Sequence, residues 1–401
     1  MAEPWKDWIP GVLSKVQVRE LCSEGHIENA ENFDSDNPKK TPIGYSSIDL
    51  TLSDQGYEML TGSIKPSGIE YRRTILENRD YATRLKADDN SMFNLSKGKT
   101  YVFCLNERLN KLRETSIYGQ ATAKSSVGRV DVLARLIVDE MLHYEYFDPE
   151  KLPEGRIEMF LEISPITFNV RVKKGISLSQ LRLFYGRPHD SQKQGRELCK
   201  SLLFREEGPV EEPLLSVDLS KTEVCKNRMS ASAFGAKSQE QPIDLWEYEN
   251  IQDRPDPLEY WELLCVDERN RLSIKEGRFY IIRSKERLCV PRGIAVYARA
   301  IDETIGEMRV HYAGFAHPFF GKDRKDKKKG TPLMFEVREH SFPVSLRDDE
   351  KLARLEFYRM SEDYKPPESE GQRKEEGGEK DDYNEQELQL SKFFRPWKIS
   401  G

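Results

Sequence analysis

Two distant stretches of this chain carry the same pattern. GKTYVFCLNERLNKL at 98–112 and GRFYIIRSKERLCVP at 277–291 align without a gap. Tyr101 then falls on Tyr280, Glu107 on Glu286, Arg108 on Arg287, Leu109 on Leu288, Arg113 on Arg292 and Tyr118 on Tyr297. A second block follows in the same order, pairing Glu162 with Glu336, Phe168 with Phe342, Val170 with Val344, Leu178 with Leu352 and Leu181 with Leu355. Ordered self-similarity of this kind marks a tandem duplication, and whatever fold the unit adopts must be built twice. Chance likeness between β-strands is the competing explanation. The shared polar positions, Glu-Arg-Leu above all, favour duplication.

The unit itself is rich in strands. SSIDLTL (46–52), TYVFCL (100–105), SIYGQAT (116–122), RIEMFLEI (156–163) and TFNVRV (167–172) are short, β-rich and broken by turn residues. One helix leads them over 12–26, where Ser14 and Gln17 form a capping-box pattern, Val18 and Leu21 share a face, and Gly25 stops the turn. The expectation is an all-β dominated fold with a short N-terminal helix. It places a first domain at 1–185, a connector at 186–242, a second, motif-degenerate repeat at 243–363 and a disordered charged tail at 364–401. The connector is inferred from polar runs such as GRPHDSQKQGREL and RMSASAFGAKSQEQP, which offer few apolar anchors. PPESEGQRKEEGGEKDDYNE cannot bury a core. The closing LSKFFRPWK (390–398) reads as a loose end, with docking through its aromatic residues as the alternative.

Composition excludes several classes. The 401 residues are 37% hydrophobic and 33% charged, with a net charge of −6 and a mean hydropathy of −0.71. No global basic field draws such a chain to nucleic acid or to a membrane surface. No apolar run approaches the roughly 20 residues that a membrane span needs, and MAEPWKDWIP lacks the layout of a signal peptide. The six cysteines stand singly with no CxxC pair, so neither a zinc knuckle nor a disulfide scaffold is indicated, and a reducing cytoplasm is the expected setting.

Candidate chemistry gathers in AKSSVGRVDV at 123–132. The hydroxyls of Ser125 and Ser126 donate, Gly128 permits close approach of a ligand to the backbone, and Lys124 and Arg129 supply charge. Such a loop grips an anion, orients a water or merely solvates a turn, and the absence of GxxxxGK[ST] rules out a P-loop. Glu162 in MFLEISP has apolar neighbours on both sides. It either points outward into solvent, the orientation the residues alone favour, or points inward, where burial raises its proton affinity and suits it to proton transfer. His26-Ile27-Glu28 supplies only half of the zinc-deaminase signature, since no P-C-x-x-C follows, and reads as coincidence. His189-Asp190 reads as surface. His311 and His317 in HYAGFAHPFFG fit either a substrate rim or a packed turn, and GKDRKDKKKG (321–330) reads as a solvated hairpin tip.

Taken in order, these pieces resemble the dCTP deaminase family of the dUTPase superfamily, in its long two-repeat bacterial form. The stretches that carry the likeness are Leu13-Ser14, Ser46-Ser47-Ile48-Asp49-Leu50-Thr51-Leu52, Ser125-Ser126-Val127-Gly128-Arg129, Asp148-Pro149 to Gly155, Leu161-Glu162, and Gly175 to Gln180-Leu181. The resemblance covers about 12–185, with the same fold implied again in the second repeat. It implies two tandem dUTPase-like distorted β-barrel or jelly-roll (β-clip) domains. It also implies hydrolytic deamination of dCTP to dUTP and ammonia in pyrimidine deoxynucleotide metabolism, without a catalytic metal.

By the same resemblance Glu162 is the proton shuttle, Ser125 holds the attacking water, and Arg129 stands near that site and the phosphates. Lys124, Ser126, Asp148 and Gln180 are substrate-binding candidates. Mg2+ arrives on the nucleotide triphosphate, dTTP is a candidate effector, and a homo-oligomer, with the trimer as the family's form, is implied because family sites lie between subunits. The second repeat departs from the pattern: Glu303-Thr304-Ile305-Gly306-Glu307 replaces the serine-glycine-arginine element, while Glu336 keeps the carboxylate. The expectation is therefore a working first repeat and a degenerate second one, unless the second completes the site from a neighbour. The rival readings are a dUTP pyrophosphatase, a bifunctional enzyme and a catalytically silent nucleotide-binding regulator.

Overall fold

The structure is a computed structural model that describes residues 5, 7–30, 42–225, 229–246, 248, 250–301, 309–311, 314–321, 329–339, 342–361 and 386–396. Two barrel-like sheets dominate it. In the first, strands run in the order Val132–Val138, Arg156–Pro165, Tyr101–Asn110, Ile48–Met59, Ser177–Tyr185, Ile117–Ala123 and Tyr146–Phe147. In the second, Thr331–Arg338 pairs with Phe279–Leu288, and the order continues Leu214–Asp218, Lys351–Arg359, Ile294–Ala300 and Phe315–Ala316. Strand for strand this is the same arrangement, so the duplication read from the two blocks is present in the topology. Smaller ladders match as well: Met92–Leu95 pairs with Val170–Lys173, and Arg271–Ile274 pairs with Val344–Arg347.

The repeated Glu-Arg-Leu has a structural cause. Glu107 is buried, and its carboxylate accepts from the Thr51 backbone N–H at 2.8 Å and the Thr51 hydroxyl at 2.6 Å. Glu286 does the same for Ser216, at 2.6 Å to the N–H and 2.9 Å to the hydroxyl. In each sheet the carboxylate satisfies a backbone donor on a strand whose pairing is irregular. Burial, opposed by those hydrogen bonds, pushes the Glu107 carboxyl up to about 7.

The leading helix runs Lys15–Ser23, with both halves of the Ser14–Gln17 capping box formed and Val18 and Leu21 buried. Gly25, at φ 75°, ends it in the left-handed region that glycine adopts without strain. Gln17 also ties the repeats together, donating to the Ser361 hydroxyl at 2.9 Å. Between the repeats lies an apolar joint in which Val12, Tyr118 and Phe184 pack against Ala295, Tyr297, Tyr358 and Met360. The Phe184 and Tyr358 rings lie 5.6 Å apart.

Two expectations need correction. The stretch 186–242 is no connector. It opens the second repeat with the Arg196–Leu202 helix, continues through Leu203–Arg205 and Ala233–Ala236, and sets Leu214–Asp218 in the middle of the second sheet. These elements are three to seven residues long, and their apolar partners lie far along the chain, so the stretch looks polar when read locally. The end of the tail is not loose either. Leu388, Leu390, Phe393 and Phe394 are buried in the core that also holds Tyr260, Trp261 and Phe279. Residues 362–385 and 397–401 lie outside the described residues. Among the described residues no helix is long and apolar enough to cross a membrane.

Glu107→Ala leaves the Thr51 N–H buried without an acceptor, so it should cost about 1–3 kcal/mol in chemical unfolding; an unchanged midpoint would remove the anchoring role. Phe394→Ala deletes an aromatic anchor worth about 3 kcal/mol. Trypsin should then cut after Lys392 more than about tenfold faster, through local opening of the tail, while the unfolding of the two sheets shifts little.

Candidate functional site

The 123–132 stretch forms a single helical turn between two strands. The Ile117–Ala123 strand ends, Lys124 stays extended, and Ser125–Gly128 wind one turn closed by the Arg129 N–H on the Ser125 carbonyl at 3.0 Å. Val127 and Val130 are fully buried and pin the turn to the core, so the polar residues between them are carried to the joint with the second repeat. Ser125 is exposed, whereas Ser126 and Arg129 are buried. Asp131 then takes φ 56° before the Val132–Val138 strand begins.

Lys124 pairs with Asp49. Asp49 stands opposite Gln180, and Gln180 stands opposite Thr122, in the paired strands. The Ser47 hydroxyl donates to the Gln180 Oε1 at 3.3 Å. Lys124, Asp49 and Gln180 therefore form one polar patch beside the turn. Tyr45, just before it in sequence, stacks on His317 of the second repeat with ring centroids 5.1 Å apart.

The carboxylate facing this turn belongs to the second repeat. A β-carbon added to Gly128 would overlap the Glu336 carboxyl, 2.9 Å from its carbon. Only glycine leaves room there. Glu336 is 5% exposed, and its Oε2 is buried with no hydrogen-bond partner. Burial pushes its carboxyl well above the ordinary carboxylate range, with Arg129 opposing that rise and Asp131 adding to it. Asp131 in turn accepts from Arg338, and from the Thr167 hydroxyl at 2.5 Å.

The docked tail closes the other side. Gln386 accepts from Arg129 at 2.8 Å, and the Ser391 hydroxyl donates to the Ser126 carbonyl at 2.7 Å. Gln386 also donates to the Pro332 carbonyl at 2.8 Å. Glu387 pairs with Arg287 at 2.7 Å and with Arg283 at 3.1 Å.

Glu162 is placed differently from the expectation on both counts. It is 1% exposed, so the outward, solvated orientation is incorrect. Nor does it meet the Ser125–Arg129 turn of this chain. Its partners are Arg135, the Ser63 hydroxyl at 2.7 Å and the Tyr144 hydroxyl at 3.0 Å, all from the first repeat. Burial raises the Tyr144 hydroxyl to about 12, which keeps it a donor to Glu162. The separation is geometric: Glu162 pairs in register with Arg135, well along the strand that leaves the turn.

Asp148 also serves locally, capping the Pro149–Lys151 turn through the Glu150 N–H at 3.1 Å and pairing with Lys151 at 3.5 Å. The structure thus brings together Lys124, Ser125, Ser126, Arg129 and Gln180 and leaves Glu162 and Asp148 outside. It adds Glu336, Asp131, Arg338 and Gln386, which reasoning from the sequence did not place in the site. The alignment of Glu336 with Glu162 was the available signal for the first of these. Residues 303–307 and the side chain of His311 lie outside the described residues. Among the described residues no group of three or more His, Cys, Asp or Glu side chains is arranged to hold a metal ion.

Comparison with known proteins bears on this geometry. Residues 9–187 match the N-terminal domain of 2'-deoxycytidine 5'-triphosphate deaminase (DCD), and residues 189–394 match its C-terminal domain. The second match ends within the docked tail. The crystal structure of 2'-deoxycytidine 5'-triphosphate deaminase from Agrobacterium tumefaciens superposes with a TM-score of 0.74 at 26% identity, covering 88% of this chain and 96% of that one. A glycosyl hydrolase family 2 member from Bacteroides cellulosilyticus, at 8% identity over 78% of this chain and 31% of that one, reaches a TM-score of only 0.16 and carries no argument. No curated protein matches. With both domains matched in order across nearly the whole chain, the protein belongs to the 2'-deoxycytidine 5'-triphosphate deaminase family.

Proposed function

We propose that this chain deaminates dCTP at a composite site, with the turn 124–129 of the first repeat on one side and Glu336 of the second on the other. The family membership supports the reaction, dCTP and water giving dUTP and ammonia. One observation carries the choice of residues: a buried carboxyl, with an oxygen bonded to nothing, lies against Gly128 and Arg129.

The chemistry asks for a group that first accepts a proton and then returns it. Water attacks C4 of the cytosine ring, and its proton passes to Glu336. Glu336 delivers that proton to ring nitrogen N3, which takes up the electron pair displaced from the C4–N3 double bond. The remaining hydroxyl proton then moves by the same carboxyl to the amino group. The C4–N bond breaks, ammonia leaves, and the C4 carbonyl of dUTP forms. A carboxyl of raised proton affinity is a competent base once ionised and holds the proton between the two steps.

In this reading Ser125, the exposed first residue of the turn, orients the water. Arg129 offers fixed positive charge next to the carboxyl, while Lys124, Asp49 and Gln180 line the adjoining patch for the nucleotide. The tail residues 386–394 form the cover, and Gln386 holds Arg129 in place of a nucleotide oxygen until substrate binds. Glu162 is a weaker candidate, because Arg135, Ser63 and Tyr144 already occupy both of its oxygens. Magnesium on the triphosphate, dTTP as effector, assembly into trimers and a cytoplasmic setting enter this proposal through the family resemblance alone.

Glu336→Gln should keep dCTP binding and lose ammonia release by about 100-fold or more. Glu162→Gln, measured per folded protein, should stay within a few-fold of wild type. The opposite ranking would return the shuttle to Glu162. Product analysis in the same assay separates dUTP plus ammonia from dUMP plus pyrophosphate.

A further inference from the structure

Two short segments face each other across the joint with their charges in opposite order. Arg129 and Asp131 stand two apart on the first repeat, and Glu336 and Arg338 stand two apart on the Thr331–Arg338 strand of the second. Arg129 acts on Glu336, and Asp131 bonds Arg338. Asp131 occupies its place at considerable cost. It is fully buried, its Oδ1 has no hydrogen-bond partner, and its backbone takes φ 56°, where glycine or asparagine would rest more easily. A residue that served only to close the turn would not need the carboxylate.

We propose that Asp131 is a positioning residue of the reaction: it draws Arg338 away from Glu336 and so leaves the Glu336 carboxyl free against Gly128 and Arg129. This rests on the reading of Glu336 as the shuttle. Without Asp131, the Arg338 guanidinium, held otherwise by the Gly277 carbonyl and the Thr167 hydroxyl, would be a second donor beside Arg129 for a carboxylate two residues away on the same face of the strand. A Glu336 carboxylate held in that way would resemble Glu162, whose oxygens are taken by Arg135 and two hydroxyls. The negative charge of Asp131 also adds to the rise in the Glu336 proton affinity. Among the described residues the other charged group acting on Glu336 is Arg129, which opposes that rise, and Ile281 stands opposite it in register on the inner strand.

The experiment follows the pH dependence of kcat for dCTP in wild type, Asp131→Asn and Glu336→Gln. Asn is close to Asp in size and tolerates a left-handed backbone, so the fold should persist. If it does not, Asp131→Gly, which suits φ 56°, takes its place. The expected result for Asp131→Asn is a kcat reduced by about tenfold or more at nearly unchanged KM. The carboxyl limb of the profile should move to lower pH by about one unit, because a like charge is lost and Arg338 is set free. A lower unfolding midpoint with wild-type kcat, or a limb that does not move, overturns the proposal and leaves Asp131 as an ion-pair partner only. Wild-type turnover in Glu336→Gln overturns both this inference and the site on which it rests.

Discussion

The arrangement depends on how charge is buried at the joint between the repeats. Removing a carboxylate or a guanidinium from water is expensive unless each finds a partner of opposite sign with hydrogen bonds to satisfy it. Here the two repeats bring Arg129, Asp131, Glu336 and Arg338 together, and only the Asp131–Arg338 half is closed by a direct bond. The other half keeps a carboxyl in a low-dielectric setting without tying it down. The apolar contacts of Phe184 with Tyr358, and of Tyr118 with its neighbours, hold the repeats close enough for this to persist. Gln17 and Ser361 fasten the far end of the same joint.

Duplication makes such a division of labour available. Each repeat carries a glutamate at the matching strand position, Glu162 and Glu336, and in the proposed site a single joint within one chain uses the turn of the first repeat and the carboxylate of the second. The unused copies are then free to change. Glu162 has become the centre of a closed network with Arg135, Ser63 and Tyr144, and the Arg135 guanidinium lies 4.0 Å over the Tyr144 ring. By contrast Glu107 and Glu286 kept one task in both repeats, because each sheet needs the same buried backbone N–H satisfied. Relaxed and retained positions can thus be told apart by whether their role repeats with the fold or belongs to the joint.

Much of this was legible in the residues. The Glu-Arg-Leu repeat, the capping box at Ser14 and Gln17, and the alternating strands announce their structure because the forces behind them are local or recur at fixed spacing. The turn 124–129 was identifiable as a polar loop after a strand for the same reason. What escaped was tertiary in origin. Leu214–Asp218 is a five-residue strand that looks like linker until its partners, Phe279–Leu288 and Lys351–Arg359, are known. The Phe393-Phe394 anchor depends on Tyr260 and Trp261, more than a hundred residues away. Whether Glu162 or Glu336 meets the turn depends on which faces of two similar domains come together, and no local pattern encodes that choice.

The docked tail adds one more constraint. Gln386 bonds both Arg129 and the Pro332 carbonyl, so it bridges the turn of the first repeat to the strand that carries Glu336. Its amide is neutral and adds no negative charge at Arg129. A carboxylate in the same place would neutralise Arg129 and repel a triphosphate. The acidic member of the tail, Glu387, is instead directed to Arg283 and Arg287, away from the turn. In the proposed site the tail therefore covers the turn without bringing its own carboxylate Glu387 to it. Among the described residues the tail thus meets the turn through the Gln386 amide and the Ser391 hydroxyl, while the ion pairs of Glu387 lie beyond it.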